Sequence, residues 1–201
     1  VRLGVLGGTF DPPHYGHLHL AQVALDQLSL DRVLFVPAGQ PPHKPDQPIT
    51  PALHREAMVS LAIADDERFI LSRADLDRPG PHYTADLLAI LRRAYPEADL
   101  YFLMGSDSLA QFLTWHDPAR IAAQAKLAVL PRPGWEADLE ALEKAIPGIR
   151  DRIVWLEGSM MDVAGTEIRR RIAEGWPISG MVPPAVETYI RRHHLYGGQQ
   201  P

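Results

Sequence analysis

Short apolar runs, most of them closed by glycine or proline, alternate along the chain with stretches of helical spacing. The runs are Val1–Leu6, Val33–Val36, Phe69–Leu71, Leu100–Met104, Leu127–Leu130 and Ile153–Leu156. Leu100-Tyr101-Phe102-Leu103-Met104 is almost wholly apolar, the pattern of a strand covered on both faces. Between the runs lie helical patterns over Tyr15–Leu28, Pro51–Ala64, Thr84–Ala94, Thr166–Glu174 and Pro184–His193, with a further helix after Gly105. In the first of these, Leu18, Ala21, Leu25 and Leu28 form the expected buried face, and Pro51 takes the favoured first-turn position of the second. Strands alternating with helices predict an α/β fold, a doubly wound, mainly parallel sheet with a small C-terminal helical part.

Ligands of such sheets bind beyond the carboxyl ends of the strands. That rule selects the loops 7–17, 37–45, 105–108 and 131–134 before any motif is considered. Proline is abundant, 19 of 201 residues, and five of them fall between Pro37 and Pro48 in a loop too stiff to be helix or central strand. The length suits one domain over 1–201. Cysteine is absent, which excludes disulfides, thiol nucleophiles and thiolate metal sites. Twenty basic against 25 acidic residues argue against broad nucleic-acid binding. No run approaches the ~18 apolar residues of a membrane span and no leader pattern opens the chain, so a cytoplasmic protein is expected. Oligomeric state is left open.

The first loop reads Gly7-Gly8-Thr9-Phe10-Asp11-Pro12-Pro13-His14-Tyr15-Gly16-His17. Glycines after a strand let a phosphate approach main-chain N–H groups, and the helix opening near Tyr15 adds free N–H groups and a positive dipole end. His14 and His17, three apart, project from one side of that turn and can donate to oxygens whose charge grows in a transition state. The plain alternative is a glycine turn with two solvated histidines. A metal on His14, His17 and His19 lacks the carboxylate or thiolate partner that zinc normally recruits.

This segment resembles the (H/T)-x-G-H signature of the nucleotidylyltransferase superfamily, and its longer Gly-Gly-Thr-Phe-Asp-Pro form is similar to that of bacterial nicotinate-nucleotide adenylyltransferases. Three other segments extend the resemblance in motif order: Pro41-Pro42-His43-Lys44, Gly105-Ser106-Asp107-Ser108-Leu109, and Val163-Ala164-Gly165-Thr166-Glu167-Ile168-Arg169. The resemblance implies a Rossmann-like nucleotidylyltransferase fold and adenylyl transfer from ATP to nicotinate mononucleotide. It implies His14, His17, Lys44 and Arg169 as catalytic, and Gly7, Gly8, Thr9, Phe10, Gly105, Asp107, Thr166 and Arg169 around ATP. Thr9, Lys44, Thr84, Trp115 and Arg132 would meet the mononucleotide. Mg²⁺ would arrive with ATP, and no prosthetic group is implied.

Each residue also has a plainer reading. Lys44 and Arg132 suit solvated loops, Asp107 an ordinary helix cap, Trp115 the core. Thr166 is expected to cap its helix, and Arg169 alone of Arg169-Arg170-Arg171 need face inward. Ala164 and Gly165 depart from the hydroxyl residues usual there, which leaves ATP affinity in question. Trp135, Trp155 and Trp176 are expected as packing residues, and Arg191–His194 as a solvated helix end. An acceptor other than nicotinate mononucleotide (nicotinamide mononucleotide or pantetheine phosphate) and a non-catalytic nucleotide sensor are the competing functions.

Overall fold

The six strands are β1 (Arg2–Gly8), β2 (Arg32–Pro37), β3 (Phe69–Leu71), β4 (Asp99–Gly105), β5 (Lys126–Leu130) and β6 (Ile153–Trp155). The computed structural model describes residues 1–40 and 48–197, and all six strands pair in parallel in the order β3-β2-β1-β4-β5-β6. The winding reverses between β1 and β4, where Val5 lies opposite Phe102. The loops after those two strands therefore diverge and leave a crevice at the carboxyl edge of the sheet.

Eight helices cover the sheet among the described residues: α1 (Tyr15–Gln27), α2 (Ala52–Ala62), α3 (Thr84–Ala94), α4 (Ser106–Ala110), α5 (Pro118–Gln124), α6 (Leu139–Ala145), α7 (Gly165–Ala173) and α8 (Pro184–Arg192). The period-two side-chain alternation of a strand divides β4 between two cores. Leu100, Phe102 and Met104 join Leu87, Leu88 and Leu91 of α3 on one face. Tyr101 and Leu103 join Leu20, Ala21, Ala24 and Leu25 of α1 on the other. A third, smaller cluster gathers Met58 of α2, Ile168 of α7 and Val186 and Ile190 of α8. It fastens the C-terminal helices beside the site, the small helical part that the pattern predicts.

Three expectations need correction. The buried face of α1 is Leu20, Ala21, Ala24 and Leu25, with Leu18 and Leu28 only half-buried. Pro51 stands at the N-cap, with extended ψ 142°, and not inside the first turn. Trp135, Trp155 and Trp176 are 44%, 47% and 51% exposed, so none is a packing residue. Trp176 lies under the guanidinium groups of Arg170 and Arg171 at 5.2 and 5.8 Å, a surface cation–π contact. Arg191 to His194 are exposed, as expected of a solvated helix end.

Candidate active site

The loop after β1 turns through Phe10, whose φ of +50° lies in the left-handed region that a phenylalanine rarely enters. The turn is held because the ring is almost wholly buried. One side of it faces Gly8, and His17 meets it edge-on with centroids 4.8 Å apart. His14 follows as the N-cap of α1 in extended conformation. Its backbone N–H donates to Nδ1 of His17 at 3.2 Å. A neutral imidazole that accepts at Nδ1 carries its proton on Nε2, so His17 is a fixed Nε2–H donor at the start of a helix.

The two imidazoles stack at 3.7 Å. Gly16 makes room, since a Cβ there would stand 3.0 Å from the His14 ring. Burial first, and the nearby Arg132 charge second, lower the His14 pKa to about 4. Burial, then His14, then Arg132 hold His17 well below the usual histidine range. Both rings are neutral donors at neutral pH rather than standing cations.

Arg169 of α7 faces inward, and its Nη1 donates to the Asp11 carbonyl at 2.7 Å. Gly165 permits the approach, because a Cβ there would sit 3.3 Å from both groups. Thr166 does not cap α7: Ala164 occupies the cap without a side-chain bond, and the helix starts at Gly165. Thr166 instead joins Arg169, Thr9, His14 and His17 around a hollow of about 240 Å³.

On the other side of Thr9 lies a second cavity of about 160 Å³, lined by Gly7, Gly8, Tyr83, Thr84, Phe102, Trp115 and His116 among others. Trp115 is part-buried against the core and meets Phe102 edge-on at 6.0 Å. Tyr83 and His116 stack at 3.9 Å. Aromatic rings and imidazoles thus share the cavity wall with aliphatic side chains and Asp75, and Thr9 is common to both hollows.

Gly105 and Asp107 lie after β4. The Asp107 carboxylate folds back over Gly105 so closely that a Cβ would stand 2.3 Å from its Oδ1. That carboxylate is 3.4 Å from Nε of Arg132. Arg132 is therefore set beside Asp107 and a groove with Ser106 and Trp135, away from the aromatic cavity of Thr84 and Trp115. Asp107 is not the cap of α4 either, since Gly105 holds that position. Lys44 lies outside the described residues. His19 turns away to Ser159, and among the described residues no group of three or more His, Cys, Asp or Glu is placed to hold a metal.

Sequence reasoning missed Arg55. It is 1% exposed. Its guanidinium donates to four backbone carbonyls, those of Thr50, Thr9, Ala38 and Gly39, at 2.8 to 3.0 Å. One side chain so ties the loop after β1 to the loop after β2 and to the entry of α2. The signal was present: Arg55 shares the buried stripe of Met58 and Val59 at helical spacing. Asp11 is a second unread hub. Its carboxylate accepts from the Thr50 N–H at 3.1 Å and from the Tyr196 hydroxyl, 185 residues away.

Residues 5–171 match the cytidylyltransferase-like family model. A protein of Thermomicrobium roseum described as "Probable nicotinate-nucleotide adenylyltransferase" is 52% identical over 195 residues, 97% of this chain and 91% of that one. One of Thermus thermophilus with the same description is 44% identical over 199 residues, 98% and 100% of the two chains. Among solved structures, the nicotinic acid mononucleotide adenylyltransferase of Plasmodium falciparum complexed with NaAD superposes with a TM-score of 0.78 over 97% of both chains. At 19% identity that likeness speaks for the fold. With the paired histidines at the seam of a 3-2-1-4-5-6 sheet and these relatives together, the chain belongs to the cytidylyltransferase-like family and, within it, to the nicotinate-nucleotide adenylyltransferases.

Proposed function

We propose that this enzyme transfers the adenylyl group of ATP to the phosphate of nicotinate mononucleotide, releasing pyrophosphate and forming nicotinate adenine dinucleotide. The observation that carries the mechanism is the His14 N–H bond to Nδ1 of His17, which fixes a neutral Nε2–H donor at the mouth of α1. The acceptor phosphate is already ionised at neutral pH. One of its oxygens forms the new bond to the α-phosphorus while the bond to the pyrophosphate oxygen breaks, and no proton need be abstracted. Alignment and charge stabilisation are then the protein's task.

His14 and His17 would donate to the α-phosphoryl oxygens as charge builds there, and the N-termini of α1 and α7 add two positive dipole ends. Arg169 and Thr166 face the same hollow and suit the polyphosphate. Lys44 is assigned to phosphate charge from sequence alone. Mg²⁺ bound to the triphosphate neutralises charge, and this chain's part is to hold the nucleotide that carries it. Asp107 and Gly105 suit the ribose side, with Arg132 supporting Asp107.

The aromatic cavity suits the pyridine ring, a flat electron-poor group that stacks on indole. Its aromatic lining residues favour that acceptor over the thread-like pantetheine phosphate. The cytoplasm, where ATP is abundant, is the assigned compartment. No helix among the described residues is long and apolar enough to cross a membrane.

Pyrophosphate release with Mg²⁺-ATP and a panel of nicotinate mononucleotide, nicotinamide mononucleotide and pantetheine phosphate tests the reading. Turnover is expected with the first at least tenfold above the others, and His17→Ala is expected to lose about 100-fold or more in kcat while still binding ATP. Preference for pantetheine phosphate overturns the pocket assignment. An unchanged kcat in His17→Ala overturns the role of the donor.

A further inference from the structure

The Tyr196 hydroxyl crosses from the far end of the fold to the loop that carries the histidines. It donates to Oδ1 of Asp11 at 2.5 Å. Asp11 is 8% exposed and is gripped from three directions: Thr50 N–H on Oδ2, Arg169 on the carbonyl, and Tyr196 on Oδ1. Tyr196 is anchored in turn, since its ring and Leu195 pack against the apolar cluster of α2, α7 and α8. Between Asp11 and the sheet stands Phe10 in its left-handed conformation, a strain of about 1–3 kcal/mol that persists only where the surroundings over-determine it. Phe10 touches His17 directly. A line of contacts thus runs from Tyr196 through Asp11 and Phe10 to the donor imidazole.

We infer that Tyr196 is a positioning residue for catalysis: its hydroxyl, through Asp11, holds the strained turn that sets His14 and His17 against the transferring phosphoryl group. The deduction rests on the histidine chemistry proposed above and adds a residue outside every recognised motif. Burial pushes the phenol well above its ordinary value, with the Asp11 bond next in weight, so the hydroxyl keeps its proton and remains a donor throughout the working pH range. Arg169 sets the carbonyl and Thr50 one oxygen. Only Tyr196, among the described residues, ties the other oxygen to the C-terminal helices.

Tyr196→Phe keeps the ring and its apolar packing and removes the bond. Kinetics are measured with whichever acceptor the wild type turns over, so an error about the acceptor leaves this test intact. The expected result is a kcat lower by about tenfold with the acceptor KM within about twofold, since small misplacement of catalytic groups costs turnover before binding. In a His17→Ala background the same change should cost less than about twofold, because the donor it positions is gone. A role in folding alone would lower the melting temperature and leave kcat per folded molecule unchanged. Overturning results are a kcat within twofold of wild type, or the full tenfold loss persisting in His17→Ala. Tyr196→p-aminophenylalanine, whose ring amine stands where the hydroxyl stood and donates from there, is the second variant: should the Phe protein fail to fold, a kcat in the amine protein within about threefold of wild type supports the inference, and a larger loss overturns it.

Discussion

Replacing Arg55 by lysine keeps the positive charge and nearly the same stem, and it removes the fork. The four carbonyls that Arg55 serves belong to three separate segments, Thr9, Ala38 with Gly39, and Thr50. A planar guanidinium reaches them from three nitrogens spread across its plane, whereas an ammonium offers three N–H bonds from a single atom. Three donors on one atom cannot serve four acceptors spread around the fork, so one or two of the four lose their partner, each at about 1–3 kcal/mol, and water that enters recovers part of this. The expected net loss is about 3 kcal/mol, which for a chain of this size lowers Tm by about 6–12 °C. Thr9 and Ala38 also line the aromatic cavity, so the acceptor KM rises with it. Thermal unfolding of Arg55→Lys beside wild type, with initial rates at a temperature where both are folded, measures the two effects. A Tm within about 2 °C of wild type would refute the claim that the fork ties these loops.

The remaining predictions concern the histidines and the ribose side. His14 is held at about 4 against 6.5 when exposed, so its neutral form supports the fold above pH 6.5 and that support drains away as pH falls toward 4. The slope is about 1.4 kcal/mol per pH unit and the sum about 3 kcal/mol. Denaturant unfolding of wild type and His14→Asn between pH 7 and 4.5 should therefore converge in acid; parallel curves would sink the burial argument. Gly105→Ala drives its Cβ into the Asp107 carboxylate, which swings away from Arg132 at small cost in stability. Its ATP KM should rise several-fold with the acceptor KM unmoved, and an unmoved ATP KM would remove Asp107 from the ribose role.

The sheet was legible because parallel strands buried on both faces write unbroken apolar runs, as Leu100–Met104 does. Helices α5 and α6 were not foreseen. Each is seven residues long, and they bury only Ile121 with Ala122 and Leu142, so no apolar period had room to appear. Their caps were the available signal, Asp117 ahead of Pro118 and Asp138, both of which accept from first-turn N–H groups. The histidine pair was readable because its chemistry is local in sequence. Arg55, Asp11 and Tyr196 were not, because most of their partners lie 16 to 185 residues away. The exposed tryptophans misled for the opposite reason: an aromatic residue suggests a core, and nothing in its own neighbourhood says which way it points.

The seam between β1 and β4 also bears on how the protein comes into being. β1 acquires one neighbour early, since β2 begins at Arg32, yet its other flank stays bare until β4 begins at Asp99. Joining them closes a long loop before any local contact repays the entropy, the kind of step that makes parallel topologies slow to fold. Helical signal should therefore return sooner than activity when the denatured chain is diluted into buffer. The aromatic cavity takes its lining from both sides of that seam, Gly7 and Gly8 of β1 and Phe102 of β4, so a half-formed chain cannot complete it, and turnover is the last property to appear and an early one to vanish under mild denaturation.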